Sequence, residues 1–476
     1  MAAALNPDTA AAKRLGAALR RVGYTEDGIA GLLGEDAYTE GRAAVPVHER
    51  RLPQTKLATA VRLLFLERPV PREDAVRALG AKGVGALAAT GLAAVGDDVV
   101  PQARITPVNE LLLASDGFSH DHDDPPDYVA TYTPTSRLCD LLTPRPRVRR
   151  ALDIGTGNGV HALLAAHHSD HVVATDVNPR ALALTELNAA LNGLANVECR
   201  RGSLLEPVAG ETFDLITCNA PYVVSPESRW AYRDSGFDAD EVSARLVREA
   251  AAHLNDRGFA TLLVSWVLRQ QEDTNAAALA WVEASGCDGW ILPVFGGDPL
   301  DHAAGWNEHL SSDRDAYNAA IDQWTDYLDG LGVQWITEGG IVLHKRAGKR
   351  SSPRVDVVEP DDLDDAGEQI RRAFANRARL AALTRAELLA AAARPVPALR
   401  IEYERRAGGR PTVRVRLDEG TNAVLDAPGD AGDVLAALAA GATIGEAAPR
   451  GRQLALVREL LELGGLRLEA RSGRRR

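Results

Sequence analysis

Two junctions, each where an apolar run meets a loop, hold residue types that can do chemistry. The first is Leu152-Asp153-Ile154-Gly155-Thr156-Gly157-Asn158-Gly159. Gly155, Gly157 and Gly159 accept backbone angles that other residues resist, and they leave no side chain between the main chain and a ligand. A helix opening after Gly159 directs its unpaired N–H groups at an anion such as a carboxylate. Asp176 stands 23 residues beyond Asp153, at the end of the next apolar run, where a carboxylate can accept both hydroxyls of a ribose. These features suit a dinucleotide as well as any other nucleoside cofactor. The second junction is Asn219-Ala220-Pro221-Tyr222. It follows Phe213-Asp214-Leu215-Ile216-Thr217-Cys218, an apolar run that reads as a buried parallel strand.

In this order and at this spacing the two motifs resemble the cofactor loop and catalytic loop of class I S-adenosylmethionine (SAM)-dependent methyltransferases. Asn219-Ala220-Pro221-Tyr222 is similar to the Asn-Pro-Pro-Tyr of enzymes of the release-factor glutamine and adenine-N6 type, which methylate a planar nitrogen. The likeness covers about residues 130–265. It implies SAM as cofactor, held by Asp153, Gly155, Thr156, Gly157, Asn158 and Gly159 of the first loop. Asp176 and Asn178 follow the second strand, Ser203 and Leu204 the third, and Asn219 closes the set. The family often has Asp where Ser203 stands, to hold the adenine amine, and Leu204 would pack on the adenine. An amide or arylamine nitrogen is a poor nucleophile because its lone pair is delocalised. The resemblance implies a remedy: the Asn219 side-chain oxygen and the Ala220 carbonyl each accept one N–H, and Tyr222 stacks on the flat group. Orientation then carries the rate without a strong general base. The family commonly has Pro where Ala220 stands; the carbonyl survives that change, and Pro221 still holds Ala220 out of the helical region. Tyr132-Thr133-Pro134-Thr135-Ser136 loosely matches a Pro-containing segment that closes over the cofactor in glutamine-type enzymes.

The elements that must position these loops alternate. Strands are expected at 151–154, 171–175, 197–201, 213–218, 259–264, 290–295 and 335–344, with helices at 159–167, 179–191 and 241–254. This alternation predicts an α/β, doubly wound parallel sheet, and with the motifs a seven-stranded class I methyltransferase sheet. Residues 1–105 read as a helical, winged-helix-like domain: helices over 57–66, 71–79 and 84–89, then a hairpin turning at Gly96-Asp97-Asp98. Residues 106–149 read as a connector within a 106–350 methyltransferase domain. A smaller α+β domain is expected over 351–476, with strands at 355–358, 399–403 and 412–417 and helices at 433–439 and 453–463.

Composition narrows the function. The chain has 476 residues, so two or three domains are expected. Residues 111–350 hold 19 Lys+Arg against 34 Asp+Glu, a net −15, whereas 1–110 (14 and 13) and 351–476 (21 and 19) are balanced. Nucleic-acid binding rests on phosphate neutralisation, and the third N-terminal helix offers only Lys82 to a base edge. A nucleic-acid partner is therefore not expected, and the tail Arg471-Ser472-Gly473-Arg474-Arg475-Arg476 reads as a solvated end. A protein or a small molecule is the expected acceptor. Two alternatives stay open: a natural-product tailoring O-, N- or C-methyltransferase, and a nucleic-acid-binding regulator with a residual methyltransferase core. No apolar run reaches membrane-span length, no signal peptide opens the chain, and a cytoplasmic enzyme is expected. Cys139, Cys199, Cys218 and Cys287 lack metal spacing. His120, Asp121, His122, Asp123 and Asp124 read as a solvated turn, so no metal is expected. All seven tryptophans fall between Trp230 and Trp335; most read as core, and Trp230 and Trp266 are candidates for an aromatic acceptor pocket. Limited proteolysis is expected to cut first near 116–127 or 347–354; a stable fragment ending within 200–300 would contradict this division.

Overall fold

The computed structural model describes residues 5–118, 125–219, 221–227, 239–269, 273–348, 352–404 and 412–469. At its centre are β1 (Val148–Ile154), β2 (Ser169–Asp176), β3 (Val197–Arg201), β4 (Phe213–Cys218), β5 (Leu254–Leu268), β6 (Asp288–Gly297), β7 (Trp335–His344) and the short β8 (Arg354–Val355). They form one sheet in the order β3-β2-β1-β4-β5-β7-β6-β8. The first five pair in parallel, and β7 inserts antiparallel between β5 and β6. This is the class I methyltransferase sheet expected from the sequence, with one strand more. Of the expected strand 355–358 only Val355 is in a strand, as the second residue of β8, which extends the central sheet beside β6 instead of founding a C-terminal module. Bonds from the Asp356 and Val358 amides to Ile291 and Pro293 continue that edge.

The central strands are long apolar runs because helices cover both faces. The helices that concern the site are α1 (Pro134–Leu142), α2 (Val160–Ala166), α3 (Pro179–Leu191), α4 (Glu241–His253), α5 (Ala276–Ser285), α6 (Pro299–Trp306), α7 (Arg314–Gly330) and α8 (Ala366–Ala382). Strand order reverses between β1 and β4. Their following loops diverge there, and the crevice opens at the carboxyl ends of the strands.

On the N-terminal side, the two expected helices are arms of one element, Arg72–Thr90, broken at Gly80 (φ 76°) and stopped by left-handed Gly91. The hairpin forms from Ala93–Val95 and Asp98–Pro101, and Val70–Pro71 adds a third strand. Inside the expected connector lies a second hairpin, Arg104–Val108 with Leu111–Ser115, buried along both strands. Its two-residue turn takes positive φ at Asn109 and Glu110, the geometry that matches strand twist. Two asparagines one turn apart on the α3 side receive this hairpin. Asn188 and Asn192 each accept an amide and donate to a carbonyl, of Ala114 and Leu112 respectively. The helix Thr9–Arg21 packs close to α3: a Cβ on Gly16 would lie 2.1 Å from the Leu191 carbonyl. On the other side α8, which the sequence reading did not foresee, lies against the end of α1, and a Cβ on Gly367 would meet the Thr143 carbonyl at 2.2 Å. Phe374 of α8 joins Phe259 and His344 of the sheet in an aromatic contact.

Burial strips water from three imidazoles and depresses their proton affinity: His161 to about 3, His302 and His344 to about 4. Each is neutral in the fold but titrates near 6.5 when unfolded. Their contribution is present above pH 6.5 and is lost as pH falls from there towards 4. Urea melts at pH 7.5 and 5.5 should differ by about 1 kcal/mol per buried histidine. His344→Phe, which keeps a ring against Phe259, should remove about a third of that difference; an unchanged difference would place His344 outside this account.

Candidate active site

The chain climbs β1 into the glycine loop, and Asp153 pins that loop from below. Its Oδ2 accepts the Thr156 hydroxyl at 2.7 Å and the Ala162 amide at 3.1 Å, and its Oδ1 accepts the Thr217 hydroxyl of β4 at 2.8 Å. Burial pushes this carboxyl up to about 6 against those three donors. Above it, Gly155, Gly157 and Gly159 take φ of 65°, 57° and 88°. The Gly157 amide donates to Asp176 Oδ2 at 3.0 Å and the Asn178 amide to its Oδ1 at 2.8 Å, so Asp176 is fixed by backbone donors at the end of β2. Burial raises its proton affinity. Asn178 caps α3 through the Arg180 amide and donates to Asp127. After β3, Leu204 sits at φ 49°, its carbonyl held by the Thr175 hydroxyl.

These groups wall a cavity of about 530 Å³. Gly155, Thr156, Gly157 and Asn158 line it from the first loop, Asp176 and Asn178 from the second, Ser203 and Leu204 from the third, and Asn219, Pro221 and Tyr222 from the fourth. Asp153 and Gly159 lie behind the wall and shape the loop instead of facing the cavity. Ala220 lies outside the described residues, as do Trp230 and the His120–Asp124 segment. Among the described residues no group of His, Cys, Asp and Glu could hold a metal.

The catalytic-loop residues are held from across the cavity. Thr133 caps α1 by accepting the Ser136 amide, which brings Thr135 to the rim. The Thr135 hydroxyl is reached by the Asn219 amide nitrogen at a long 3.5 Å and is hydrogen-bonded to the Thr133 hydroxyl at 2.9 Å. Among the described residues the Asn219 side-chain oxygen has no hydrogen-bond donor. The Tyr222 carbonyl accepts the Ser265 hydroxyl of β5. Burial raises the phenol far enough that Tyr222 stays neutral and is no base.

The tryptophan expectation needs correction. Trp266 is fully buried, its indole N–H donating to the Thr274 carbonyl of the loop after β5; it lies in a strand buried without a break from Gly258 to Val267, and that continuity marks it as core. Trp306, the last residue of α6, lines the cavity instead. Sequence reasoning also missed Thr135 and the neutral His161 on the wall. The Thr-Pro pair that caps and opens α1 was the available signal for the first.

Among the described residues the wall carries one carboxylate, Asp176, and no lysine or arginine. That inventory disfavours a pyrophosphate and suits a nucleoside cofactor with an amino-acid end at the glycine loop.

Sheet order, glycine loop and crevice together define a class I methyltransferase fold. Residues 133–276 match the family described as methyltransferase small domain, and residues 21–104 match a domain of unknown function, DUF7059. The chain is 32% identical over 168 residues to a ribosomal protein uL3 glutamine methyltransferase of Bradyrhizobium diazoefficiens, covering 32% of this chain and 52% of that protein. It is 35% identical over 130 residues to a release factor glutamine methyltransferase of Xylella fastidiosa, covering 25% and 47%. The chain thus spans about half the length of the curated relatives it matches. A solved methyltransferase from Pyrococcus furiosus aligns at 20% identity and a TM-score of 0.30, over 49% of this chain and 90% of that one.

The two rear glycines separate stability from binding. A Cβ on Gly159 would come within 2.9 Å of Leu163 and Thr185, whereas one on Gly157 meets no protein atom and projects into open space. Gly159→Ala should therefore lose about 1–3 kcal/mol of stability from strain and crowding. Gly157→Ala should cost about 1 kcal/mol of stability and weaken cofactor binding more. Denaturant melts and calorimetric titration check both; equal effects of the two variants on binding would contradict the placement.

Proposed function

We propose that this protein transfers a methyl group from SAM to a planar amide nitrogen on a protein side chain. One observation carries the reading: Asn219, Pro221 and Tyr222 line the same cavity as Asp176 and the glycine loop, with the Thr135 hydroxyl of α1 3.5 Å from the Asn219 amide nitrogen. The donor set suits SAM. Asp176 would accept the ribose hydroxyls, Ser203 and Leu204 would meet the adenine, and the loop and the start of α2 would receive the carboxylate. Bound SAM supplies a methyl on a positively charged sulfonium sulfur. The free oxygen of Asn219 and the carbonyl of Ala220 then accept the two N–H bonds of the acceptor amide and fix the direction of its lone pair. Neutral Tyr222 packs on the amide plane, and a wall with no lysine or arginine among its described residues does not oppose transfer of positive charge towards nitrogen. The names of the relatives support a glutamine carboxamide as acceptor, and the acidic charge of residues 111–350 favours a protein over a nucleic acid. No described helix is long and apolar enough to cross a membrane, and a cytoplasmic setting remains part of this proposal. So do the divisions at 1–105, 106–350 and 351–476.

Asn219→Ala should lower turnover about 10²-fold while SAM affinity stays near that of the parent, because the lost acceptor acts mainly in the transition state. Tyr222→Ala should chiefly raise the acceptor KM, and Ala220→Pro should preserve activity. Asp176→Ala should weaken SAM binding by about 1–3 kcal/mol. Single-turnover kinetics and calorimetry separate these effects, and near-normal turnover in Asn219→Ala would sink the planar-nitrogen mechanism.

A further inference from the structure

The helical insertion between β6 and β7 reaches the site at one point. Trp306, ending α6, lines the cavity in company with Tyr222 and Val223. Its indole N–H donates to Glu338 Oε1 at 3.1 Å. Glu338 lies on β7, directly paired with Ser265 of β5, whose hydroxyl holds the Tyr222 carbonyl. The opposite ladder is irregular at this residue: Glu338 pairs with Phe295 and Gly339 with Pro293, which leaves Val294 as an extra residue in β6. Bulges of this kind re-aim side chains beside active sites.

One turn before Trp306 on α6, His302 points Nε2 at the Val224 carbonyl, 3.0 Å away. A carbonyl only accepts, so Nε2 carries the proton and Nδ1 keeps a lone pair. That lone pair is 3.7 Å from Glu338 Oε1. Burial keeps His302 neutral and raises the proton affinity of Glu338, which favours a neutral carboxyl between the two rings. The α6 tip is thus fastened twice: by His302 to the segment after the catalytic loop, and by Trp306 to β7. Behind it, the Trp324 indole reaches Glu227 at 3.4 Å.

We propose that Trp306 is an acceptor-binding wall beside Tyr222, and that Glu338 is the positioning residue that holds the indole in place for an uncharged planar side chain. This inference rests on the reading of Asn219 and Tyr222 as the methyl-transfer loop. Among the described residues the cavity offers no lysine or arginine to a carboxylate or a phosphate, and a flat neutral group gains most from packing between aromatic faces. Glu338 has no direct part in methyl transfer; its effect passes through the ring of Trp306.

The test uses the full-length chain, tritiated SAM and an array of peptides each carrying one glutamine, with SAM affinity measured by calorimetry. For the best-labelled peptide, Trp306→Ala should raise KM about tenfold, with kcat and SAM affinity each within about twofold. Trp306→Phe, which keeps a ring but no N–H, and Glu338→Leu should each raise KM about threefold. The double variant should be no worse than either single, because both remove the same bond. Glu338→Gln, which keeps an oxygen for the indole, should recover most of the loss. Additive effects of the two single changes, or an unaltered KM in Trp306→Ala, would overturn the inference while leaving the proposed reaction intact. A joint fall in kcat, SAM affinity and acceptor affinity in the conservative variants would also overturn it, since that pattern marks general loss of structure. If the parent protein binds SAM but labels no glutamine peptide, the carboxamide reading itself fails, and the inference with it.

Discussion

Asp153 joins the two strands between which the sheet reverses its order. One carboxylate oxygen accepts from the glycine loop and the start of α2, and the other accepts from Thr217 of β4. A buried carboxyl with three donors is a costly group to leave half satisfied, about 1–3 kcal/mol for each lost partner. This one fixes the separation of the β1 and β4 loops, and so the width of the crevice. The remaining site geometry hangs from that separation. Asp176 can bond the Gly157 amide only if the loop stands where Asp153 holds it, and Asn219 can face the same cavity only if β4 ends level with β1.

The flanking regions act on the crevice through a few polar braces. Asn188 of α3 accepts and donates to the buried hairpin strand at Ala114 and also donates to the Asn158 carbonyl in the glycine loop. The N-terminal hairpin is thereby one side chain away from the loop it supports. Asn158 in turn donates to the Ala130 carbonyl, on the strap that leads into α1 and Thr135. On the opposite side, α8 packs behind α1, and Arg377 donates to the Gly289 carbonyl of β6. The segment that carries Thr135 is thus gripped from both ends of the chain.

Much of this was legible in the sequence where one force dominates. Phe213–Cys218 and Pro179–Leu191 emerge with the expected bounds, because an unbroken apolar strand and a proline-opened helix depend little on context. The class I sheet follows from seven such segments. The buried hairpin at 104–115 was hidden because both its faces are covered, so it shows no alternation, and its surrogate partners, Asn188 and Asn192, lie some 80 residues away. The helix Ala366–Ala382 was missed for a related reason. Its buried face includes Gln369, Arg372, Asn376 and Arg377, and a polar stripe of this kind reads as solvent-facing until its tertiary acceptors are known. Trp266 and Trp306 were confused because residue type alone does not tell a core indole from a wall indole; strand continuity decides the first, and a helix end beside a β-bulge decides the second.

At the end of the cavity lined by Tyr222 and Trp306, burial disfavours charge on the groups at and behind the wall. Tyr222 is held as a phenol on the wall; behind it His302 is a neutral imidazole and Glu338 is pushed towards its acid form. On the proposed reading the site has no need to activate its nucleophile by removing a proton. The amide nitrogen fails as a nucleophile because its lone pair is shared with the carbonyl, a matter of geometry more than of protonation. On that reading an acceptor such as the Asn219 side-chain oxygen addresses geometry, whereas a neighbouring charge would reward binding of ions that cannot react. Neutral packing at one end and a single carboxylate at the other also separate the two binding tasks. On the proposed reading Asp176 would discriminate the cofactor by hydrogen bonding and the Tyr222–Trp306 wall the acceptor by shape, so that changes in α6 and β7 would alter acceptor choice while the cofactor half remains as it is.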